Sequence, residues 1–213
     1  RFITSIDSGT SVADMDCIAQ QTLHVTSTTA AGDPSPHTAM GVFAGIRATA
    51  LARLGSDDLQ GLRVAVQGLG NVGFALAEQL AAAGVELFVS DLDPGRVQLA
   101  VEQLGAHPVS SEELLLTPCD ILAPCGLGGV LNAQTVGALH CAAVAGSANN
   151  QLAGSEIAFS IDLAVSNAGY QVDGTLFLKN HIPGEYLFRN TLVIFAKPGE
   201  AGGWRLRYVW GDD

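Results

Sequence analysis

Three glycines at a fixed spacing are the residues of this chain best suited to a specific chemistry. The motif Gly68-Leu69-Gly70-Asn71-Val72-Gly73 follows the apolar run Arg63 to Gln67 and precedes a helical pattern from Phe74 to Ala83. In such a turn the first glycine permits a tight bend, the second admits a pyrophosphate, and the third lets the helix pack on the strand. Unpaired amides at the helix N-terminus would bind the phosphates. The motif therefore predicts a dinucleotide-binding site.

An acid at the end of the next β-type run predicts which dinucleotide is bound. Gly84 ends the helical pattern, Glu86 to Ser90 is β-like, and Asp91 follows. Asp91 lies near the offset of ~20 residues from the glycine motif at which a carboxylate binds the adenosine ribose. The 2′-phosphate of NADP would face the negative charge of that carboxylate. Because no Arg or Lys lies between Ser90 and Gly95, we expect NAD to be preferred over NADP. The alternative is a glycine-rich turn that binds nothing, but strand, turn, helix, strand and acid together favour a cofactor site.

The elements that must position these residues alternate along the chain between strands and helices. This alternation predicts right-handed crossovers and a Rossmann-type, doubly wound parallel sheet of the α/β class. Ligands of such sheets bind beyond the carboxyl ends of the strands, here the loops 68–73, 123–129 and 146–150. A capping box from Ser11 to Asp14 opens a further helix that extends to about Gln21. The other predicted strands are Phe2 to Ile6, His107 to Val109, Asp120 to Pro124 and Cys141 to Ala145, and the other helices are Ser35 to Leu54, Pro94 to Leu104, Ser111 to Leu116 and Asn132 to Leu139.

The C-terminal residues 154–213 differ in pattern from the rest of the chain. Three β-type runs there (176–178, 186–195 and 204–210) are separated by Pro-Gly and Gly-Gly turns, with no helical pattern. We therefore expect residues 37–153 to form the Rossmann domain with its leading helix. Residues 154–213 would form a β-rich appendage of unknown role.

Composition and charge exclude several classes of protein. The 213 residues are 48% hydrophobic and 15% charged, which is typical of a folded, core-rich chain. A net charge of −11 argues against nucleic acid and anionic membrane as partners. No apolar run approaches the ~18 residues of a membrane span, and the N-terminus lacks a signal pattern, so a cytoplasmic location is expected. Because Arg1 is not an initiator methionine, we expect the chain to begin inside a larger protein.

The cysteines and histidines give no sign of a metal site. None of the four cysteines forms a Cys-x-x-Cys pair, and the five histidines lack the spacing of metal ligands. The cysteines lie mostly in apolar runs, which predicts buried free thiols rather than disulfides. We expect no bound metal.

From Arg1 to about Leu152 the sequence resembles the glutamate/leucine/phenylalanine/valine dehydrogenase family, and its leucine dehydrogenase branch most of all. Several motifs in the same order carry the resemblance, so chance is a poor explanation. The resemblance implies that residues 1–36 are a remnant of the family's catalytic domain and of its connection to the cofactor domain. The motifs are Ile3-Thr4 through Asp7 with Gly9-Thr10 and Asp14-Met15-Asp16, Gly32 to Ala39 with Gly41-Val42, Val66 to Gly73, Ala123 to Gly129, and Ala145 to Leu152.

The resemblance implies reversible, NAD-dependent oxidative deamination of a branched-chain or other apolar L-amino acid to the 2-oxo acid and ammonium. By position, Asp7 matches the family's catalytic carboxylate, and Thr38 matches a residue beside the substrate and the nicotinamide. Asn149 matches the group that fixes the nicotinamide carboxamide, although a turn-forming asparagine is the alternative. A homo-oligomer is also implied. The implied cofactor-binding residues beyond the glycine motif and Asp91 are Ala123, Pro124, Ser147, Ala148 and Asn149.

Two departures from the family pattern leave a second hypothesis open. The family's substrate-binding and catalytic lysines precede the segment that Arg1 to Asp16 resembles, and the only lysines here are Lys179 and Lys197, outside any such motif. Ser166-Asn167-Ala168-Gly169 resembles a family segment near the substrate, but it comes early, so Asn167 is a weaker substrate-binding candidate. The alternative function is a non-catalytic dinucleotide-binding module whose tail serves interaction.

Overall fold

The computed structural model describes residues 2–148, 151–153 and 192–195. A single sheet carries the fold, with helices packed against it. Its strands are β1 (Arg63–Gln67), β2 (Glu86–Ser90), β3 (His107–Pro108), β4 (Cys119–Pro124), β5 (Cys141–Gly146) and β6 (Leu192–Phe195). The helices are α1 (Val12–Ala19), α2 (Ser35–Leu54), α3 (Asn71–Ala82), α4 (Pro94–Leu104) and α5 (Ser111–Leu114), and a 3-10 turn spans Val136–Ala138.

The strand order is β3-β2-β1-β4-β5-β6, with β1 to β5 all parallel and β6 antiparallel to β5. The chain moves outward from β1 to β3, and then returns through β4 on the other side of β1. This reversal opens a crevice at the carboxyl ends of β1 and β4, where doubly wound sheets bind their ligands. The predicted Rossmann-type α/β fold is confirmed.

The central strand β1 is buried on both faces of the sheet. Val64, Ala65 and Val66 follow one another and none of them is exposed to solvent. Because successive side chains of a strand point to opposite faces, three consecutive buried residues require cover on both sides. The uninterrupted apolar sequence of β1 is thus the signature of a covered parallel sheet.

Helices α2 and α3 supply part of the cover of the sheet, and the buried residues of both follow the 3.6-residue period. Helix α2 buries Ala39, Val42, Ile46 and Ala50 along one stripe and packs on α3 and β5. It begins with Pro36 in its first turn and ends at Gly55, whose φ of 84° is the left-handed conformation that glycine favours. Its start and end are as predicted from the sequence.

The N-terminal segment is less regular than its sequence predicts. The run Phe2 to Ile6 was expected to be a strand, but the backbone makes one parallel bridge, Thr4 with Val25. Phe2 and Ile3 are exposed, so no packing extends the strand. Helix α1 does begin at the predicted capping box, in which Asp14 Oδ2 accepts from Ser11 N at 2.7 Å.

The predicted helix from Asn132 to Leu139 is wrong, since only Val136–Ala138 forms a 3-10 turn. Asn132 Oδ1 accepts from the backbone amides of Gln134 and Thr135 at 3.0 and 3.1 Å. The hydroxyl of Thr135 in turn donates to the Val130 carbonyl at 2.7 Å. These local side-chain bonds satisfy backbone groups that a helix would otherwise satisfy, and they hold the segment in a turn.

The predicted β-rich appendage lies largely outside the described residues, apart from β6. The boundaries 1–36, 37–153 and 154–213 therefore stay predictions. None of the helices in the described ranges is long and apolar enough to cross a membrane.

The two glycines that flank β1 allow the effect of close backbone packing to be measured. Gly61 and Gly68 both have positive φ, 75° and 90°. A Cβ at Gly61 would meet nothing within 4 Å, whereas one at Gly68 would lie 2.5 Å from Gly126 N. Both alanine substitutions incur the left-handed strain of about 1–2 kcal/mol. Gly68→Ala should also incur a steric cost of roughly 1–3 kcal/mol.

Urea unfolding of Gly61→Ala and Gly68→Ala measures this difference from the shift in midpoint at constant slope. We expect Gly68→Ala to be the less stable variant. Equal losses of unfolding free energy would show that the loops do not approach as closely as described.

Candidate dinucleotide site

Three loops meet at the carboxyl edge of the sheet, joined by backbone hydrogen bonds. Gly68 N donates to Ser90 O at 2.8 Å, which ties the glycine motif to the end of β2. Cys125 N donates to Gln67 O at 2.7 Å, and Ala148 N donates to Pro124 O at 2.9 Å. The loops that follow β1, β4 and β5 are therefore parts of one surface, as the sequence predicted.

Glycine is required at three points of this surface because backbones meet there. A Cβ at Gly73 would lie 1.9 Å from Gly68 O, and one at Gly146 would lie 2.2 Å from Pro124 O. The clash at Gly68 with Gly126 N is of the same kind. These contacts fix the shape of the first turn of α3 against β1 and β4. The first and third glycines of the motif thus have a structural role.

Gly70, the second glycine of the motif, is in a different situation. It is the N-cap of α3, with φ −63° and no side-chain cap. A Cβ there would meet only Arg96 Nη1, at 3.5 Å, which is ordinary contact. The fold does not need glycine at this position. Because Gly70 has no side chain, an anion such as a pyrophosphate could approach the backbone there. The first amides of a helix have no partner within the helix and could bind it.

The carboxylate of Asp91 is fixed against the glycine motif. Its Oδ2 accepts from Leu69 N at 2.5 Å, and its Oδ1 accepts from Asp93 N at 2.8 Å. A carboxylate offers about four acceptor sites, so two such bonds leave capacity for the hydroxyls of a ribose. The ribose-binding role that the sequence predicts for Asp91 stays a prediction.

Arg96 is a charged group at the same place that the sequence analysis missed. It lies in the first turn of α4, and its Nη1 donates to Leu69 O at 2.9 Å. Its Nε lies 3.7 Å from Asp93 Oδ2. Arg96 lies one residue beyond the stretch from Ser90 to Gly95, which has no Arg or Lys. Its place in the first turn of the helix that follows the acid is a weak sequence signal for it.

Ala123 and Pro124 end β4 beside this surface and are buried. Ala148 is buried, and Ser147 hydrogen-bonds the thiol of Cys125. Burial raises the pKa of that thiol, although the Ser147 contacts oppose the shift. Cys125 is thus a neutral packing residue of the loop.

The other cysteines are not reactive groups of this site. Burial raises the pKa values of Cys119 and Cys141 to about 12. Cys17 is exposed, which corrects the expectation of a buried thiol there. Within the described ranges, no three His, Cys, Asp or Glu side chains are grouped as metal ligands.

The candidate catalytic and substrate residues lie on the N-terminal side. Asp7 is exposed in a turn, where its Oδ1 accepts from Ser8 N at 2.7 Å and its amide donates to Thr10 Oγ1 at 2.8 Å. Thr38 lies in the first turn of α2, and its hydroxyl reaches Pro34 O at 3.3 Å. Their roles stay predictions, and Asn149 and Asn167 lie outside the described residues.

Known proteins align with a large part of this chain. No family model matches the chain. The leucine dehydrogenase of Geobacillus stearothermophilus is 47% identical over 156 residues, which are 71% of this chain and 42% of that enzyme. The solved L-tryptophan dehydrogenase from Nostoc punctiforme aligns with a TM-score of 0.63 and 40% identity, over 79% of this chain and 48% of that one.

A more distant structure agrees with these two. The hetero-hexameric glutamate dehydrogenase from Thermus thermophilus aligns with a TM-score of 0.57 and 26% identity, over 75% of this chain and 44% of that one. The chain thus spans less than half the length of the relatives it matches. Identity at this level, together with the shared fold, shows common descent over the matched part. That part of the chain is homologous to leucine and L-tryptophan dehydrogenases, which confirms the resemblance found in the sequence.

Proposed function

We propose that the protein takes part in NAD-dependent oxidative deamination of a branched-chain or other apolar L-amino acid. The products would be the 2-oxo acid and ammonium. One observation carries the proposal: the part of the chain that is homologous to leucine dehydrogenase also holds Asp91 against the glycine motif at 2.5 Å. In NAD-dependent enzymes of this fold, an acid at this position binds the ribose hydroxyl of the cofactor.

The proposed cofactor-binding residues divide along an extended dinucleotide. The amides at the start of α3 would bind the pyrophosphate above Gly70, and Asp91 would accept from the adenosine ribose. Ala123 and Pro124, with Ser147, Ala148 and Asn149, would border the nicotinamide half. NAD supplies the hydride acceptor when it is bound. The residues proposed to hold it are 68–73, Asp91, Ala123, Pro124 and 147–149.

The acid–base chemistry is proposed for Asp7. An exposed carboxylate can exchange protons with an amine or with water. Thr38, at the start of α2, is proposed to lie beside the substrate, and Asn167 is a weaker candidate for the same role. We further propose a cytoplasmic location and an oligomeric assembly. The glutamate dehydrogenase that aligns with this chain is described as hetero-hexameric.

A non-catalytic dinucleotide-binding module is the second candidate. The observation that favours it is compositional: the only lysines of the chain are Lys179 and Lys197, outside the dehydrogenase-like part. Arginine is a poor substitute for a lysine acid–base group because its pKa exceeds ~12. Binding and turnover therefore have to be measured separately.

The dinucleotide site itself is tested by Gly70→Val. Because a Cβ at Gly70 has room, the variant should fold, whereas its side chain would occupy the space of the pyrophosphate. We expect NADH fluorescence enhancement to be lost while the thermal unfolding midpoint changes little. Gly137→Val is the control at a glycine outside the proposed site, since a Cβ there would meet nothing within 4 Å. Unchanged NADH binding by Gly70→Val would mean that the glycine motif is only a turn.

The choice of dinucleotide is tested by titrating the chain with NADH and with NADPH. We expect NADH to bind more tightly, because the 2′-phosphate of NADPH would face the carboxylate of Asp91. Fluorescence titration at low salt, where charge effects are least screened, measures both affinities. Equal or reversed affinities would contradict the assignment of Asp91 to the ribose.

Turnover is tested by incubating residues 1–213 with NAD and L-leucine, L-valine or L-phenylalanine at alkaline pH and following NADH absorbance. We expect binding of NAD without appreciable turnover. The family's lysine acid–base group, worth about 10²–10⁴ in rate, has no counterpart in this stretch of sequence. Asp7→Asn should accordingly change little in this polypeptide. Robust turnover would show that the catalytic groups have been misplaced.

A further inference from the structure

Arg96 and Asp91 hold the two backbone polar groups of a single residue. Leu69 N donates to Asp91 Oδ2 at 2.5 Å, and Leu69 O accepts from Arg96 Nη1 at 2.9 Å. Two groups of opposite charge thus bind the same residue of the glycine motif, where the adenosine ribose of the proposed dinucleotide would bind. The inference below rests on that proposed function.

The guanidinium also borders the space left open by Gly70. A Cβ built there would lie 3.5 Å from Arg96 Nη1, the nearest atom outside the neighbouring residues. Arg96 therefore lies at the opening through which a dinucleotide phosphate would reach the loop. Its side chain remains 44% exposed, so a ligand can reach it.

The existing contacts of Arg96 leave donors for a ligand. A guanidinium carries five N–H donors, of which Nη1 uses one on Leu69 O. The ion pair with Asp93, Nε to Oδ2 at 3.7 Å, joins two exposed side chains, and such pairs are weak. The planar fork of arginine is well suited to a phosphate.

We propose that Arg96 is a latent binding group for the 2′-phosphate of NADP, and that the charge of Asp91 keeps it unused. While Asp91 is ionised, a 2′-phosphate would face that carboxylate at the ribose. Once that charge is removed, Arg96 is the group beside the ribose that can bind a phosphate. Cofactor preference then depends on two charged side chains that bind Leu69: Arg96 would attract the 2′-phosphate, and Asp91 would repel it. In the wild type the repulsion by Asp91 determines the preference.

Four proteins test this balance: the wild type, Asp91→Asn, Arg96→Gln and the double variant, each titrated with NADH and NADPH. Asparagine keeps an acceptor for Leu69 N without the charge. We expect Asp91→Asn to bind NADPH at least about tenfold more tightly than the wild type does, the effect of about one charge-assisted hydrogen bond. Adding Arg96→Gln should remove most of that gain.

The ratio of NADPH to NADH affinity separates binding from a structural role. Loss of loop order would weaken both nucleotides alike, whereas loss of a phosphate contact weakens NADPH selectively. Arg47→Gln is the matched control, because Arg47 is an exposed arginine that pairs with Asp57 on another part of the surface. Asp91→Ser, which keeps a hydroxyl acceptor, replaces Asp91→Asn if the latter does not fold.

The outcomes are distinct. The inference is overturned if the Asp91 variant gains no affinity for NADPH, or if the double variant keeps the whole gain. Wild-type protein that binds neither nucleotide would overturn the proposed function, and the inference with it. A selective gain that depends on Arg96 supports both.

Discussion

Three backbones approach one another at the carboxyl edge of the sheet so closely that no side chain fits between them. Gly68 faces Gly126, Gly73 faces the carbonyl of Gly68, and Gly146 faces the carbonyl of Pro124. The distances from a hypothetical Cβ, 1.9 to 2.5 Å, are shorter than any real contact. Because these contacts join the ends of β1, β4 and β5, they set where the loops can lie. The geometry of the proposed site depends on them.

The close backbone packing distinguishes Gly70 from the other two glycines of the motif. Gly70 is free of steric contact with backbone, and its φ of −63° suits any residue. The fold does not require its small size, and we propose that it makes room for a ligand. The same turn therefore contains two glycines that the close backbone packing requires and one that the proposed binding would require. A chain can keep its fold when Gly70 changes, but it would then lose the space for a pyrophosphate.

Charged side chains surround the glycine motif and could select between dinucleotides. Asp91 and Arg96 bind the amide and the carbonyl of Leu69, and Asp93 contacts both of them. These contacts hold the glycine motif in place. They also put charged side chains beside the position proposed for the ribose. In the proposed mode of binding, the acid would disfavour a 2′-phosphate, and the arginine would make that preference reversible by a single substitution. The hydrogen bonds that hold the glycine motif are therefore made by the same two side chains that are proposed to select the cofactor.

The sequence predicts the parts of this structure that depend on local pattern. The glycine motif, the start and end of α2 and the span of α4 follow from periodicity and caps. Prediction failed where a competing interaction decided the outcome. Asn132 and Thr135 divert a helical pattern into a turn through side-chain bonds. The run from Phe2 to Ile6 has strand propensity, but it forms one bridge, Thr4 with Val25, and is not part of the sheet.

The site was predicted less completely than the fold. Asp91 could be found from its offset, because the ribose lies at a fixed distance from the glycine turn. Arg96 could not be assigned from spacing alone, since its contact with Leu69 depends on how α4 returns over the loop. Asn149 and Asn167 lie outside the described residues. Long-range packing, which no local pattern encodes, decides which side chains share a surface.

A crystal structure of the chain with NADH bound tests the central claim most directly. The account predicts the pyrophosphate over Gly70 at the start of α3, with the adenosine ribose on Asp91 and the nicotinamide toward Pro124 and Ser147. A dinucleotide bound elsewhere, or one whose ribose makes no contact with Asp91, would contradict it.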